Sequence, residues 1–573
     1  MILKLPPLTY YLLLITYYLL LTPLPGIAQT ETAPPETIIQ PIIPTPEPLP
    51  EVEVLPPIEE LIPPLETPPS PPQPSLEGIP NQITIRQFEV IGSTIFSQEQ
   101  IAEVLEPFTL RSISFAELLQ AQRAITQLYI DNGYITSGAF IPPQALQDGV
   151  VRIEVIEGEV EAIEINGLER LNSSYVRSRL ALATKAPLNQ DKLLRALQML
   201  QLDPLIANIS AELAAGSRPG ISLLEVQLQE ADTFSVELSL DNQRSPSVGS
   251  VRRQVQLTQS NLLGLGDRFN VSYINTDGSN SLSDLSYTIP INPYNGTIRF
   301  SHSRTESEII EEPFDVLDID SETRQYELTY RQPLYQTPNK DFSIGITFSR
   351  DEAETTVFDQ PFDLSRGANN QGETKISALR FFQEYTNRNQ REVLALRSQF
   401  SLGIDALDAT INNSEPDSEF FVWRGQAQYL RLLSSDTILL LRSDLQLADQ
   451  ALVPFEQFSL GGQLSVRGYR QDALLADHGL FASAEIRTPI LRIPEWETVL
   501  QLTPFIDFGT VWNSDDLELE ESTLVSVGLG LRLLLGNNFR ARLDWGIPLV
   551  GLDDIGDSSQ EDGLYFSVSY RIF

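Results

Sequence analysis

The 573-residue chain contains no cysteine. That absence removes disulfides, thiol nucleophiles, iron–sulfur clusters and thiolate zinc sites. Histidine is nearly as scarce. His302 and His478 are the only two, far apart in sequence, and each reads as a polar strand or loop residue rather than a ligand. Positive charge is also short: Lys and Arg total 39 against 77 Asp and Glu, for a formal net charge of −38. The basic footprint of a nucleic-acid binder is therefore missing, and the acidity reads as solvated loops. Past the N-terminus no apolar run approaches the ~20 residues a spanning helix needs. No GxSxG elbow and no Walker-type phosphate loop is present, so the chain is not read as an enzyme and no cofactor or metal is expected. Still, 42% of the residues are hydrophobic, enough to bury a core. If this chain crosses a membrane, it crosses with strands.

The N-terminus carries one charged side chain, Lys4, then an apolar stretch from about Tyr10 to Leu21, then Gly26-Ile27-Ala28. This is the pattern of a secretory signal peptide over 1–28, cleaved after Ala28. The competing reading, an N-terminal anchor, needs a longer apolar run. Residues 29–80 are dominated by Pro, Glu and Thr, as in Glu66-Thr67-Pro68-Pro69-Ser70-Pro71-Pro72. Such a composition forms a semi-rigid spacer.

After Pro80 the pattern changes. Ile83–Gly92 reads as a strand. Ser97 with Gln100 and Ser114 with Glu117 form capping boxes that open two helices. The second helix carries Leu118, Ala121, Ile125, Leu128 and Tyr129 at helical spacing and stops at Asn132-Gly133. Strands are expected near Ile135–Ile141 and Val150–Ile156. The order then repeats: a strand ending Ile165-Asn166-Gly167, helices near Ser174–Leu182 and Gln190–Leu202, and strands near Ile209–Leu213 and Ser222–Gln229. A β-α-α-β-β unit thus occurs twice, over 81–158 and 159–231; a single irregular α+β domain is the alternative.

From 232 to 573 helical periodicity disappears. Phe342, Ile344, Ile346 and Phe348 alternate with polar partners, and so do Val525, Val527, Leu529, Leu531, Leu533 and Leu535. One apolar and one polar face per strand is what a lipid-facing, water-filled barrel requires. Tight turns such as 261–267 contrast with long acidic loops at Ile309–Arg324 and Gly551–Gly563, the outer-membrane arrangement. The last segment puts Leu564, Phe566, Val568 and Tyr570 on one face and stops at Phe573, a C-terminal barrel signal. A soluble β-sandwich would alternate too, but it does not account for the export signal or the number of strands. The fold class read from the sequence is α+β modules followed by an all-β transmembrane barrel.

Two β-α-α-β-β modules before a barrel resemble the polypeptide-transport superfamily of outer membranes, whose modules are POTRA domains. Ser465-Val466-Arg467-Gly468-Tyr469 is similar to its VRGY/F motif, and Phe505-Ile506-Asp507-Phe508-Gly509 to its F-x-D-x-G motif. Asn261–Asp267 resembles its first barrel hairpin. With two modules, the chain is identified as a member of the two-partner secretion branch of haemolysin activation/secretion type. The resemblance implies a 16-stranded barrel in the outer membrane, POTRA domains in the periplasm, a VRGY loop folded into the lumen and an inward-facing F-x-D-x-G strand. It implies export of one large adhesin- or haemolysin-type exoprotein, bound unfolded, with outer-membrane lipid and the barrel assembly machinery as further partners. Many such transporters begin with a plug helix, and none is expected in Thr30–Pro80. The alternative within the same fold is a barrel assembly factor; a barrel hydrolase would need a Ser partner for one of the two histidines.

The paired motifs, and the match of an Arg fork to a carboxylate, predict that Arg467 and Asp507 form an ion pair pinning the loop to the wall. Gly509 lies on the same strand as Asp507. Gly468 should allow a tight loop tip, with Tyr469 packed beside it. Asp315, Asp318, Asp320 and Glu322 offer hard oxygen ligands for calcium, but their spacing fits no EF-hand and solvated charge is preferred. The two modules are expected to hold the exoprotein by β-augmentation at an exposed sheet edge.

Overall fold

The computed structural model describes residues 82–144, 148–515, 517, 519–552 and 556–573. The expected signal peptide, the Pro-rich spacer and the expected lack of a plug helix lie outside the described residues. The first module comprises β1 (Ile83–Ile85), β2 (Gln87–Ile91), α1 (Gln98–Leu105), β3 (Arg111–Ile113), α2 (Phe115–Asp131), β4 (Gly138–Phe140) and β5 (Val150–Ile156). The second comprises β6 (Glu159–Asn166), α3 (Ser173–Ala183), α4 (Gln190–Gln201), β7 (Ile206–Ala215) and β8 (Ile221–Glu230).

Local chemistry sets the helix starts. Ser97 and Gln100, and likewise Ser114 and Glu117, exchange side-chain and backbone hydrogen bonds in complete capping boxes. Leu118, Ala121, Ile125 and Tyr129 form the buried stripe of α2. One expectation fails at the start. The segment Ile83–Gly92 is two strands, because β1 leaves the main sheet to pair with β3 while β2 joins β5. The strand expected near Ile135–Ile141 shortens to the three residues of β4.

Both modules use the same sheet order. The last strand is central, parallel to the first and antiparallel to the second: β2-β5-β4 and β6-β8-β7. They also share a corner. Gly92 (φ +89°) and Gly167 (φ +85°) close against the last strand so tightly that a Cβ would lie 2.3 Å from the Val155 carbonyl oxygen and 2.0 Å from that of Leu228. Two residues beyond each contact stands a glutamate. Glu157 accepts from the amides of Thr94 (2.7 Å) and Ile95 (3.3 Å), and Glu230 from those of Glu169, Arg170 and Leu171 (2.8, 3.0 and 2.8 Å). Burial raises the pKa of each carboxyl, but the donated hydrogen bonds outweigh it and hold both below the usual carboxylate range.

The barrel follows as β9 (Phe234–Asp241), β10 (Arg252–Ser260), β11 (Arg268–Asn275), β12 (Ser279–Pro290), β13 (Thr297–Glu308), β14 (Ile319–Gln336), β15 (Lys340–Val357), the two-residue β16 (Gln360–Pro361), β17 (Glu373–Arg388), β18 (Glu392–Gly403), β19 (Phe421–Leu432), β20 (Ile438–Ala448), β23 (His478–Ile493), β24 (Thr498–Trp512), β25 (Thr523–Leu535), β26 (Phe539–Pro548) and β27 (Leu564–Arg571). Short strands β21 (Phe458–Leu460) and β22 (Leu474–Ala476) pair with each other inside one connection. Leaving β16 aside, sixteen strands close antiparallel, β27 onto β9. Alternation sets the two faces. Leu529, Leu531, Leu543 and Trp545 are exposed outward, whereas Ser526, Gly530 and Asp544 are buried inward. The loop expected at Ile309–Arg324 ends at Asp318, because Ile319–Arg324 already pairs with β15 and starts β14.

The second module is fixed to the near rim. In the turn after β10 Asp267 accepts from the amides of Leu263 (3.0 Å) and Leu265 (3.3 Å). The Gly264 carbonyl accepts from the Asn172 amide (2.8 Å), and a Cβ on Gly266 would lie 2.2 Å from the Tyr175 ring. Arg179 stacks on Tyr175 with its guanidinium 3.5 Å from the ring centroid and donates to Asn295 (2.8 Å) in the turn after β12.

The Glu230 corner yields a signed pH prediction. A carboxyl held below its unfolded pKa stabilises the fold above the usual carboxylate range and loses that contribution as pH falls through the folded value. Hydrogen exchange at the Glu169–Leu171 amides, corrected for intrinsic rates, should speed up on acidification in the native chain. In Glu230→Gln it should be fast at every pH, corresponding to about 1–2 kcal/mol at this half-buried site. Identical profiles would exclude the role.

Candidate functional site

The connection between β20 and β23, residues 449–477, folds back into the lumen. Its hairpin β21–β22 carries the segment Val466-Arg467-Gly468-Tyr469 between its strands. Arg467 is completely buried. Its guanidinium meets Asp507 in a fork, Nε to Oδ2 at 2.7 Å and Nη2 to Oδ1 at 2.9 Å, and its backbone amide also donates to Asp507 (3.2 Å). Nη1 reaches Glu485 at 2.7 Å, and the Phe505 ring covers the guanidinium at 3.3 Å.

The wall residues arrive by strand periodicity. Ser483, Glu485 and Arg487 on β23 point inward at every second position; Phe505, Asp507 and Gly509 do so on β24, and Arg542, Asp544 and Gly546 on β26. They form one network. Arg542 bridges Glu485 (2.7 Å) and Asp544 (2.6 Å), Arg487 binds Glu485 (2.8 Å), Ser483 donates to Asp507 (2.6 Å), and Gln463 of the loop donates to Asp544 (2.8 Å). In these contacts Arg467, Arg487 and Arg542 each meet a carboxylate, and only Arg542 keeps appreciable exposure, at 23% of its side chain.

Glycines make the seat. Gly468 has φ +101°, and a Cβ on Gly546 would stand 2.5 Å from the Gly468 nitrogen. A Cβ on Gly509 would strike Leu460 (2.7 Å) and Val466 (2.9 Å). Val466 and Tyr469 join Phe458, Leu460, Val511 and Leu524 in an apolar cluster inside the barrel. The Tyr469 hydroxyl lies between the strand ends, 2.8 Å from the Val525 carbonyl and 2.9 Å from that of Val550. Tyr565 accepts from the Gly468 amide (2.9 Å) and donates to the Tyr469 carbonyl. The lumen is therefore not the simple water-filled interior expected from alternation: a loop with its own apolar packing occupies part of it.

The structure brings Val466, Arg467, Gly468, Tyr469, Asp507 and Gly509 together. It leaves Phe566, Val568, Tyr570 and Phe573 away from this site. The first three lie on β27 with Tyr570 exposed outward, and Phe573 stands beside Phe234 (6.2 Å between rings) where the last strand meets the first. Sequence reasoning missed Glu485, Arg542, Asp544 and Tyr565. Charged residues at period two inside otherwise apolar strands, Glu485-x-Arg487 and Arg542-x-Asp544, carried a usable signal; Tyr565 carried none.

His478 does have a serine neighbour, Ser514, at 2.9 Å from Nε2. Its Nδ1 accepts the Ala448 amide (3.1 Å), so a neutral ring carries its proton on Nε2 and donates to Ser514 rather than taking its proton. Among the described residues no group of three His, Asp or Glu is placed to hold a metal; Glu322 instead pairs with Arg304 (2.8 Å) and Arg324 (2.6 Å).

The family described as haemolysin secretion/activation protein ShlB/FhaC/HecB matches residues 220–533. That described as POTRA domain, ShlB-type, matches residues 83–158. The chain is 22% identical over 490 residues to the heme/hemopexin transporter protein HuxB of Haemophilus influenzae, covering 81% of this chain and 82% of that protein. It is 23% identical over 456 residues to the outer membrane transporter CdiB of Dickeya dadantii, covering 78% of each. The solved structure of CdiB from Escherichia coli aligns with a TM-score of 0.68 at 20% identity, over 90% of this chain and 95% of that one, a likeness of fold.

Because the three atoms nearest a Cβ at Gly546 are all backbone, Gly546→Val should unseat the loop tip rather than be absorbed. Overpacking of this kind costs about 1–3 kcal/mol. Limited trypsinolysis should then cut after Arg467 or Arg470 in the variant and not in the parent, with the barrel still heat-modifiable on gels. Continued protection would show that the contact is not needed.

Proposed function

We propose a working mechanism for a chain that belongs to the haemolysin secretion/activation family. It is an outer-membrane transporter of two-partner secretion, with POTRA domains in the periplasm and a barrel that moves a secreted exoprotein to the cell surface. The barrel-assembly alternative draws less support, since the relatives matched over about four-fifths of their length are named as transporters.

In our reading residues 1–28 direct export, 29–80 form a spacer, 81–158 and 159–231 are the two POTRA domains and 232–573 form the pore. The exoprotein arrives unfolded and adds to a sheet edge. Each module offers a three-stranded sheet whose outer strands pair with no further strand among the described residues. On the short β4, Ala139 already donates its amide to Thr126 (3.0 Å) and accepts from the Gln122 side chain (2.5 Å), both on α2, which leaves β2 as the open edge of the first module. Outer-membrane lipid surrounds the exposed leucines and aromatics, and barrel assembly machinery inserts the chain through its C-terminal strand, Phe566, Val568, Tyr570 and Phe573. The loop 449–477 closes the pore, held by Arg467 on Asp507. The observation that supports this latch is the fork on a fully buried arginine: a guanidinium with no access to water stays there only while its carboxylates do.

Two outcomes follow. Arg467→Ala leaves Asp507 uncompensated, a loss of ~3–5 kcal/mol for a buried pair; loop protection from protease and exoprotein release should both fall, and their persistence would refute the latch. Deleting residues 83–158 should remove one exoprotein from the medium while leaving the outer-membrane protein profile intact. A general collapse of that profile would transfer the chain to the assembly reading.

A further inference from the structure

The lumenal loop touches a second wall. Before the hairpin, Leu452 and Val453 pack on Ile376, Ala378, Phe420 and Val422 of the β17–β19 side. Directly after them a single helical turn, Pro454–Glu456, presents Glu456 to Arg380 on β17. The contact is another fork, Nη1 to Oε2 at 2.8 Å and Nη2 to Oε1 at 2.6 Å. Both groups are sheltered, with side-chain exposures of 15% for Arg380 and 7% for Glu456. Ser349 and Ser401 on the flanking strands bind the same guanidinium (3.2 and 3.1 Å), and Asp351 lies 3.5 Å away. Gln446 clamps the Glu456 carbonyl (2.7 Å). β17 stands five strands from β24 around the sixteen-stranded wall, so this contact and the Arg467–Asp507 contact hold opposite arms of one loop to different sides of the lumen.

We propose that Glu456 on Arg380 is a second latch, and that the pore opens for export only when both forks release. This rests on the reading of the loop as the closing element. The chemistry parallels the first latch with the roles exchanged: here the loop supplies the carboxylate and the wall the guanidinium. Neither fork alone frees the lumen. With Arg467 released, the arm 453–457 still lies on β17; with Glu456 released, the hairpin still sits on β23–β26. At its base the loop is tied independently, since Asp477 accepts the amides of Leu452 (2.8 Å) and Ser514 (2.8 Å), so opening is a movement of the two arms and not an unravelling from the ends. Glu456 and Arg380 are positioning residues: they touch the loop and the wall, not the exoprotein.

The test is ion conductance of the purified full-length chain in planar bilayers, comparing the parent with Asp507→Asn, Glu456→Gln and the double variant. Glu456→Gln is chosen because it leaves Arg380 with Asp351 as a partner, whereas removing Arg380 would set two carboxylates against each other. Each single variant should raise the ratio of open to closed time by about tenfold or more. The double variant should approach the product of the two, as expected for separated contacts. If Asp507→Asn opens the pore and Glu456→Gln does not, the second latch is excluded and the first stands. If neither single variant nor the double variant opens it, the closing role of the loop falls too. A second experiment guards against misfolding. The chain has no cysteine, so Arg380→Cys with Glu456→Cys gives one unique thiol pair. A short reducible crosslinker across it should hold the pore shut even with Asp507→Asn present, until a reductant is added. Conductance unaffected by the crosslink would overturn the proposal.

Discussion

A guanidinium buried without water is the constraint around which the barrel interior is arranged. Arg467 has no exposed surface, and an unpaired cation there would be untenable. Its two carboxylates come from different strands, which fixes the register of β23 and β24 relative to the loop. Those carboxylates need further partners in turn, supplied by Arg487, Arg542 and Ser483. The approach that makes these distances possible needs backbone to lie on backbone, hence Gly468 on the loop and Gly546 and Gly509 on the wall. Remove the charge and the glycines lose their purpose; fill the glycines and the charge cannot be reached.

The interior combines two kinds of adhesion. Apolar clusters around Phe458, Leu460 and Tyr469 on one side, and around Leu452 and Val453 on the other, favour the loop-in state in proportion to area and without regard to direction. The ion-pair forks are directional and fail within a small displacement. On the proposed closing role, a loop held this way is firmly seated yet able to leave abruptly, which suits a pore whose two states must not blend.

Much of this was legible in the sequence. The capping boxes at Ser97 and Ser114, the stripe on α2 and the doubled strand–glycine signature followed from local rules that the tertiary structure leaves intact. The short motifs around Arg467 and Asp507 pointed to the two strongest partners. The rest depended on strand pairing between distant segments. Nothing near Asp544 in sequence says that β26 will stand beside the loop tip, and Tyr565 looks like any other residue of an alternating strand until its hydroxyl is seen capping Gly468. The division of Ile83–Gly92 was hidden for the same reason, since β1 is claimed by β3, a segment 28 residues away. Arg380 and Glu456, 76 residues apart, share no motif at all.

The second module meets the barrel at the turns after β10 and β12. Gly264 under Asn172, Gly266 under Tyr175 and Arg179 on Asn295 tie that domain to the pore at several points. On the proposed reading that the exoprotein first binds this module, it is handed over within one molecule, not by a second diffusive encounter. The quantity that governs loading of the pore is then an effective concentration set by a fixed distance, of the millimolar order typical of short tethers. The weak, sequence-tolerant backbone pairing proposed at the sheet edge would be enough under those terms, and tight capture would only slow the onward step.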